Sequence, residues 1–533
     1  MQQKRFYNGN VTTLGNGGSF SGELVCEGEW VRELRPGNDR GPSTADAPGG
    51  VTRRGESKAV DLGGAFVVPG FNDNHLHALV MGDHAAYPYL GGLGEREIIE
   101  RLHAHFGALR PGETVIGFGW DYPYWPEPHR ATLDAVFPNN PVALFQFSGH
   151  GACVNTSMLK QLGFDRQEGD PPGGRITRDR SGSPTGVLTD AAVEPLHYRR
   201  FAELNRRPRL ALERLRFALE VFAKHGITSV QDNTWNPLSV WWLNRLFRAG
   251  ELSCRFSCWP SGMRRLGTLS MRFARYRPGW IEPGPVKYFL DGAFSTRTAW
   301  LTEPYEGEPE NYGTPVLYGE ALKQVLLRCG RTRRRAAFHA IGDRAVKEFL
   351  NVLETVADRY PLLTALRLRL EHAQLIDPAD VPRLRELGVL IAAQPHALSS
   401  PDKDRALIGA ERAERAYPYR SLLDAGVPLS FGSDAPAEGS INPFRAIRYA
   451  VERRGPERIT VEEALRCYTQ GGAYAEGAEQ EKGTLDPGMR ADFVALSHNP
   501  LQLPPAELER IQVLGTYVGG REVYRTPPTG NVS

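Results

Sequence analysis

Between Val67 and Glu452 the chain alternates short apolar runs, rich in β-branched residues, with longer amphipathic segments, and this alternation limits the fold more than any other feature. The strand candidates are Phe66–Phe71, Thr228–Asp232, Arg255–Trp259, Val286–Asp291, Ala336–Ala340, Arg367–His372, Val389–Gln394 and Pro428–Ser433. Helical spacing marks the stretches between them: Leu210–His225, Leu238–Ala249, Gly319–Cys329, Arg344–Arg359, Pro378–Leu387 and Pro443–Glu452. A strand followed by a helix must return to the sheet by a crossover, which predicts an α/β fold with a parallel sheet. Eight such strands fit a (β/α)₈ TIM-like barrel better than an open sheet, with the open sheet as the alternative.

The chain ends read differently. Arg5–Tyr7, Gly22–Glu27 and Phe66–Val68 predict short strands between Gly- and Pro-rich breaks, and Phe493–Ala495, Gln512–Tyr517 and Arg521–Tyr524 predict more. Residues 1–69 with 484–533 are therefore expected to pair into a small β-sandwich domain, leaving 70–483 for the barrel. The polar stretch Pro36–Ser57 predicts a mobile loop. An insert at about 78–209 separates the first two parallel strands. It predicts a helix over Glu95–Leu109, strands over Val115–Gly119 and Val142–Gln146, and a Gly/Pro-rich piece at Pro171–Gly186. A barrel loop this long sits at the C-terminal face and shapes the substrate pocket.

Composition excludes several classes. With 64 basic against 62 acidic residues the net charge is +2, so nucleic acid is not expected as a partner, and the basic run at Arg331, Arg333, Arg334 and Arg335 reads as a solvated helix end or loop. Six cysteines in 533 residues make no disulfide framework, and Cys254 with Cys258, lacking a second pair, reads as part of a strand. No apolar run approaches a membrane span, and Met1–Gly18 carries no apolar signal core. A cytoplasmic protein acting on a small molecule is the expectation.

Chemistry enters at Pro69-Gly70-Phe71-Asn72-Asp73-Asn74-His75-Leu76-His77. Two histidines two apart at a strand end point the same way and can reach one metal ion. His103-Ala104-His105 repeats the spacing inside a helix, where it splays the side chains apart, so that pair reads as surface. His339 ends one apolar run, His372 the next, and Asp434 follows the last. A lone strand-end histidine is usually a core residue, and a lone aspartate often a helix cap. Four histidines and an aspartate at the C-terminal ends of parallel strands point to metal ligation. Zinc is the first candidate, with manganese, iron or nickel as alternatives.

The order of these pieces, with Ala340-Ile341-Gly342-Asp343, Glu371-His372-Ala373, Gln394-Pro395 and Gly432-Ser433-Asp434-Ala435-Pro436, resembles the amidohydrolase superfamily. It is most similar to the YtcJ-like, amidohydrolase-3 branch that includes N-substituted formamide deformylases. Gly119-Trp120-Asp121, His150 with Asn155, Val286-Lys287 with Asp291-Gly292, and the tail Gly483–Asp492 extend the likeness over nearly the whole chain. The resemblance implies two divalent metal ions, one held by His75 and His77, the other by His339 and His372, with Asp434 touching the first. It implies that Lys287 is carboxylated and bridges both; the alternative is a charged lysine paired with Asp291. Where relatives often carry a branched apolar residue, this chain has Asn72, which bears on the bonds behind the ligands. A homodimer follows only from family likeness.

What the resemblance implies for function is hydrolysis of a non-peptide C–N bond, in a linear amide or N-substituted formamide, by metal-activated hydroxide. Asp434 would move the proton to the departing amine. His150 is an expected carbonyl or oxyanion contact. Trp120, Asp121 and Arg297 are expected at the substrate, Arg297 facing a carboxylate if it is not in a structural ion pair. The aromatics Tyr122, Tyr124, Trp125, Phe147, Phe294 and Trp300 would favour an apolar or aryl N-substituent if some face the pocket. Other hydrolyses on the same metals (an ester, a cyclic amide, a deamination) are the alternative, as is a non-catalytic binding protein of the same fold.

Overall fold

The computed structural model describes residues 3–37, 58–234, 236, 238–262, 274–399 and 401–527. The loop expected at Pro36–Ser57 falls, from residue 38 on, outside the described residues.

Two parallel sheets carry the α/β core. One runs Phe71–Leu76, Ile227–Asp232, Arg255–Cys258 and Ile281–Pro283; the other runs Val286–Phe289, Ala336–Ala340, Arg369–His372, Leu390–Ala393 and Leu429–Phe431. Their strands are short and buried along their length, as Ala336–Ala340 shows, because helices cover one face and side chains fill the other. Pro208–Lys224 is one such helix. Proline occupies its first turn, where a missing N–H costs nothing, and Ala211, Leu212, Leu215, Ala218, Leu219 and Phe222 form its buried stripe.

The two sheets are joined along both edges. Lys287 N–H donates to Pro260 O at 3.0 Å, and Gly262 N–H donates to Lys287 O at 2.7 Å. At the other seam, Asp434 N–H donates to His75 O at 2.7 Å, and Asn74 Nδ2 donates to Ser430 Oγ at 2.6 Å. Only glycine fits at position 432 there, since a Cβ would sit 2.4 Å from Asn74 Oδ1 and 2.7 Å from the His75 nitrogen. This second seam brings the strand end carrying Asp434 against the one carrying His75 and His77.

One expected strand splits. Gly70 divides Phe66–Phe71 into Phe66–Pro69, which joins the sheet built from the chain ends, and Phe71–Leu76, which joins the parallel core. The chain-end sheet has the order Arg521–Arg525, Val513–Val518, Phe493–Leu496, Phe66–Pro69, Gln3–Thr12, Ser19–Glu27, Trp30–Pro36, with Lys58–Asp61 also on Gln3–Thr12. Phe6, Phe493 and Tyr517 pack at its centre, the last two stacked at 4.5 Å. The insert forms a third sheet, Gly174–Arg178, Pro184–Asp190, Gly151–Val154, Val142–Gln146 and Val115–Trp120. The Gly/Pro-rich piece is thus a β-hairpin whose second strand pairs with Gly151–Val154. Cys254 and Cys258 are buried at either end of a parallel strand, and no helix among the described residues is long and apolar enough to cross a membrane.

A buried ion pair ties the chain-end sheet to the parallel core. Arg255 donates to Asp492 through Nε at 2.7 Å and Nη2 at 3.0 Å, and Gly519 N–H adds a third bond to that carboxylate. Removing one partner of a buried pair strands the other charge. Asp492→Ala is expected to cost about 3–5 kcal/mol, measured as a lower denaturant midpoint followed by circular dichroism.

Candidate active site

Six side chains named from the sequence converge at the C-terminal ends of the parallel strands. His75, His77, Lys287, His339, His372 and Asp434 all line one cavity, together with His150 and Asp190 from the insert. His75 Nε2, His77 Nε2 and a carboxylate oxygen of Asp434 lie within 4.8 Å of one another. Asp434 Oδ1 is 3.2 Å from His77 Nε2 and 3.7 Å from His75 Nε2, yet it is buried and takes part in no hydrogen bond. On the other side, His372 Nδ1 is 3.9 Å from Asp434 Oδ2, and the His339 ring is 4.4 Å from the His372 ring.

The far nitrogen of three of the four imidazoles is held by a neighbour, which fixes its tautomer. His75 Nδ1–H donates to Glu371 Oε2 at 2.5 Å, His77 Nδ1–H to Asn233 O at 3.2 Å, and His339 Nε2–H to Gly292 O at 3.0 Å. The opposite nitrogens, His75 Nε2, His77 Nε2 and His339 Nδ1, then keep lone pairs, the form in which histidine binds metals. Burial keeps the rings neutral. It pushes His75 and His339 well below the ordinary histidine range, and His372 down to about 4. A carboxylate with an unpartnered oxygen, facing lone-pair nitrogens in a buried site, is a donor set for divalent cations.

Lys287 lies on the strand Val286–Phe289 and is 1% exposed. Its closest polar contact is His75 Nε2 at 3.5 Å, and it makes no ion pair among the described residues. Burial lowers its amine to about 8. Asp291 does not pair with it. Both Asp291 oxygens accept backbone N–H bonds, from Ile341 at 3.0 Å and from Gly342 and Trp300 at 2.8 and 2.9 Å. That aspartate holds together the two loops that follow the strands of Lys287 and His339.

The backbone is strained where function is expected. His372, Asp434 and Asp190 have φ of 72°, 51° and 51°. A left-handed conformation at a non-glycine residue costs about 1–3 kcal/mol and persists only where surrounding bonds enforce it. For Asp434 these are its own N–H bond to His75 O and the turn closed by Ala437 N–H on Asp434 O at 2.8 Å.

Other expected site residues lie elsewhere. Trp120 is fully buried within the insert, its indole N–H donating to Leu144 O at 2.8 Å, so it is a core residue of that sheet and out of a substrate's reach. Asp121 is paired with Lys403 at 2.7 Å, and Arg297 with Glu308 at 2.9 Å; neither lines the cavity. The structure does not bring these three to the cavity, and the cause is shared: each side chain is satisfied by a neighbour that the linear sequence does not reveal, which for Arg297 is the structural ion pair named as its alternative. Among the aromatics, Phe147 faces the cavity, with Phe145 and Phe289 beside it, whereas Trp125 packs in the insert core and Tyr124 is exposed. His103 and His105 are exposed on their helix.

Glu371, Asn233 and Asp190 escaped the sequence reading. Glu371 directly precedes His372, so its strand position was visible, but alternation sends it to the opposite face, where its role depends on what lies there. It finds His75 and also Arg369, which donates to it from Nε at 2.5 Å and from Nη2 at 3.1 Å. Arg369 in turn donates to Gln231 Oε1 at 2.6 Å and Asn74 O at 3.0 Å, and lies over the Trp259 ring at 4.5 Å. Asn72, the departure noted in the sequence, donates to Glu476 and accepts from Gln231 Nε2 at 3.3 Å. Its polarity thus serves the network behind the ligands.

Comparison with known proteins gives a consistent picture. The model of the amidohydrolase family matches residues 58–524. The chain is 32% identical over 502 residues to Protein LONG AFTER FAR-RED 3 of Arabidopsis thaliana, an alignment covering 87% of this chain and 83% of that one. It is 28% identical over 557 residues to N-substituted formamide deformylase of Arthrobacter pascens, covering 100% and 99%. Among solved structures, an uncharacterized metal-dependent hydrolase from Pyrococcus furiosus superposes with a TM-score of 0.71 at 28% identity, over 94% of this chain and 100% of that one.

The Glu371–His75 bond generates a direct test. Glu371→Gln removes the charge that orients and enriches the imidazole, and is expected to weaken Zn²⁺ affinity about 10–100-fold. Titration against a competing chelator measures it; wild-type affinity in the variant would contradict the assigned tautomer.

Proposed function

The chain belongs to the amidohydrolase family and is a metal-dependent hydrolase, and on that premise we propose that it cleaves a linear C–N bond outside peptides, in an amide or N-substituted formamide. The observation that carries the reading is Asp434: a buried carboxylate oxygen with no hydrogen bond, set among lone-pair nitrogens at the floor of a cavity large enough for a small-molecule substrate. The full-length likeness to the Arthrobacter pascens deformylase supports the choice of bond. Phe145, Phe147 and Phe289 at the cavity favour an apolar N-substituent.

In this reading eight of the nine parallel strands, all but the three-residue Ile281–Pro283, form a closed barrel spanning 70–483, with the insert at about 78–209. The chain ends, 1–69 and 484–533, make a small sandwich beneath it. Two divalent cations, zinc by donor chemistry, would be held by His75, His77 and Asp434 and by His339 and His372. Lys287, buried with a depressed amine, would take up CO₂ as a carbamate whose two oxygens reach both. When bound, such cations lower the pKa of water and polarise a carbonyl.

The protein's own groups do the rest. The neutral imidazoles stay fixed because Glu371, Asn233 and Gly292 hold their outer nitrogens. Asp434 takes a proton from the attacking water on its carboxylate and delivers it to the departing nitrogen. That delivery decides the rate for amides, because a nitrogen anion is a poor leaving group. The apolar walls limit water to what the reaction consumes.

Chelation should abolish activity toward a panel of N-formyl amines and linear amides, and added Zn²⁺ should restore it. Asp434→Asn should lower kcat about 10²–10⁴-fold, and His339→Ala should lose both bound metal and turnover while circular dichroism shows a folded chain. Full rates in both variants would refute the catalytic assignment; turnover of esters or aminopurines without any amide would refute the bond.

A further inference from the structure

His150 reaches the cavity from the insert, and one residue, Asp190, anchors it twice, once through its carboxylate and once through its backbone N–H. Its Nδ1 lies 2.9 Å from Asp190 Oδ1, and its carbonyl accepts the Asp190 N–H at 2.7 Å. The two residues end neighbouring strands, Gly151–Val154 and Pro184–Asp190, so the pairing of those strands sets their distance. Asp190 holds this position at a left-handed φ of 51°. Its Oδ1 also approaches the loop after the Lys287 strand so closely that a Cβ at Gly292 would lie 2.7 Å away. The second carboxylate oxygen, Oδ2, is buried and has no hydrogen-bond partner. Across the cavity, the His150 ring is 4.9 Å from the His339 ring and 6.2 Å from Phe289.

A carboxylate only accepts, so the short contact places the His150 proton on Nδ1. In the neutral ring Nε2 is then a lone pair, on the edge away from Asp190, in the cavity both residues line. The carbonyl contact expected from the sequence would need a donor at that atom. The dyad instead presents acceptors, Nε2 and the unpartnered Asp190 Oδ2, to whatever lies beside His339.

We propose that His150 Nε2 accepts the N–H of the scissile amide, with Asp190 as the positioning residue that fixes its tautomer, so that the site selects primary and secondary amides over N,N-disubstituted amides and esters. The inference rests on the C–N hydrolase reading and narrows its substrate class. The tertiary amide made by N-methylating a secondary one, or an ester, has no hydrogen to give, and it leaves a desolvated acceptor unpaired. The contact also turns the nitrogen so that its developing lone pair faces the opposite wall, the side on which Asp434 delivers its proton. Asp190→Asn offers a donor to Nδ1, reverses the tautomer and makes Nε2 a second donor facing the substrate N–H.

The test compares a secondary amide, the tertiary amide made by N-methylating it and the matching ester on the zinc-loaded full-length protein, with kcat and KM measured separately. Wild type should prefer the N–H amide over its N-methyl partner by at least about tenfold in kcat/KM, the size of one hydrogen bond. That ratio should fall to about twofold or less in Asp190→Asn and, independently, in His150→Ala. A purely structural role would slow all three substrates alike and leave the ratio where it was. Wild type cleaving both amides equally, or an unchanged ratio in the variants, overturns the contact while leaving the C–N reading intact. Ester turnover with no amide cleaved overturns both.

Discussion

Burying the Asp434 carboxylate beside His75, His77 and His372 creates an electrostatic problem that organises the rest of the molecule. A carboxylate out of water needs positive charge or hydrogen-bond donors, and here one oxygen has neither. The surrounding imidazoles are kept neutral by burial, so they offer lone pairs and no compensating charge. Cations resolve both demands together, supplying charge to the carboxylate and accepting the nitrogens. The cost of assembling the site is visible in the left-handed backbone at His372 and Asp434.

Holding that arrangement falls to groups one layer out. At three of the four histidines the nitrogen opposite the ligand position is occupied, by a backbone carbonyl at His77 and His339 and by Glu371 at His75. Glu371 could not be buried alone. Arg369 neutralises it with two bonds and is itself spread over Gln231, Asn74 and the face of Trp259. The chain of contacts runs from the cavity floor into the strand interior, so the packing of the parallel sheets and the orientation of His75 are one problem.

The insert and the chain-end sheet contribute to this centre in different ways. The insert closes the cavity with Phe145, Phe147, His150 and Asp190, on strands whose register fixes their spacing. The chain-end sheet is locked to the core through Arg255 and Asp492 and supplies no cavity residue. The proposed proton-moving and ligand groups sit on or directly after the parallel strands, where backbone ladders give the least freedom. The groups that meet the rest of the substrate sit on the insert.

The sequence by itself determined the alternation of strands and helices, the meeting of the chain ends, and the side chains at the strand termini. Strand periodicity and residue chemistry are local properties, and His75, His77, His339, His372 and Asp434 each mark a strand end that can be read without knowing its neighbours, whereas Lys287 was singled out by the family resemblance. Tertiary structure decided which polar groups were already spent. Trp120, Asp121 and Arg297 looked available until Leu144, Lys403 and Glu308 took up their hydrogen-bonding capacity. Glu371 and Asp190 looked ordinary until His75 and His150 arrived beside them. Their partners lie 296 and 40 residues away in the chain. A hydrogen bond is set by distance and angle between two atoms, and only the closing of the sheets on one another brings such atoms within reach.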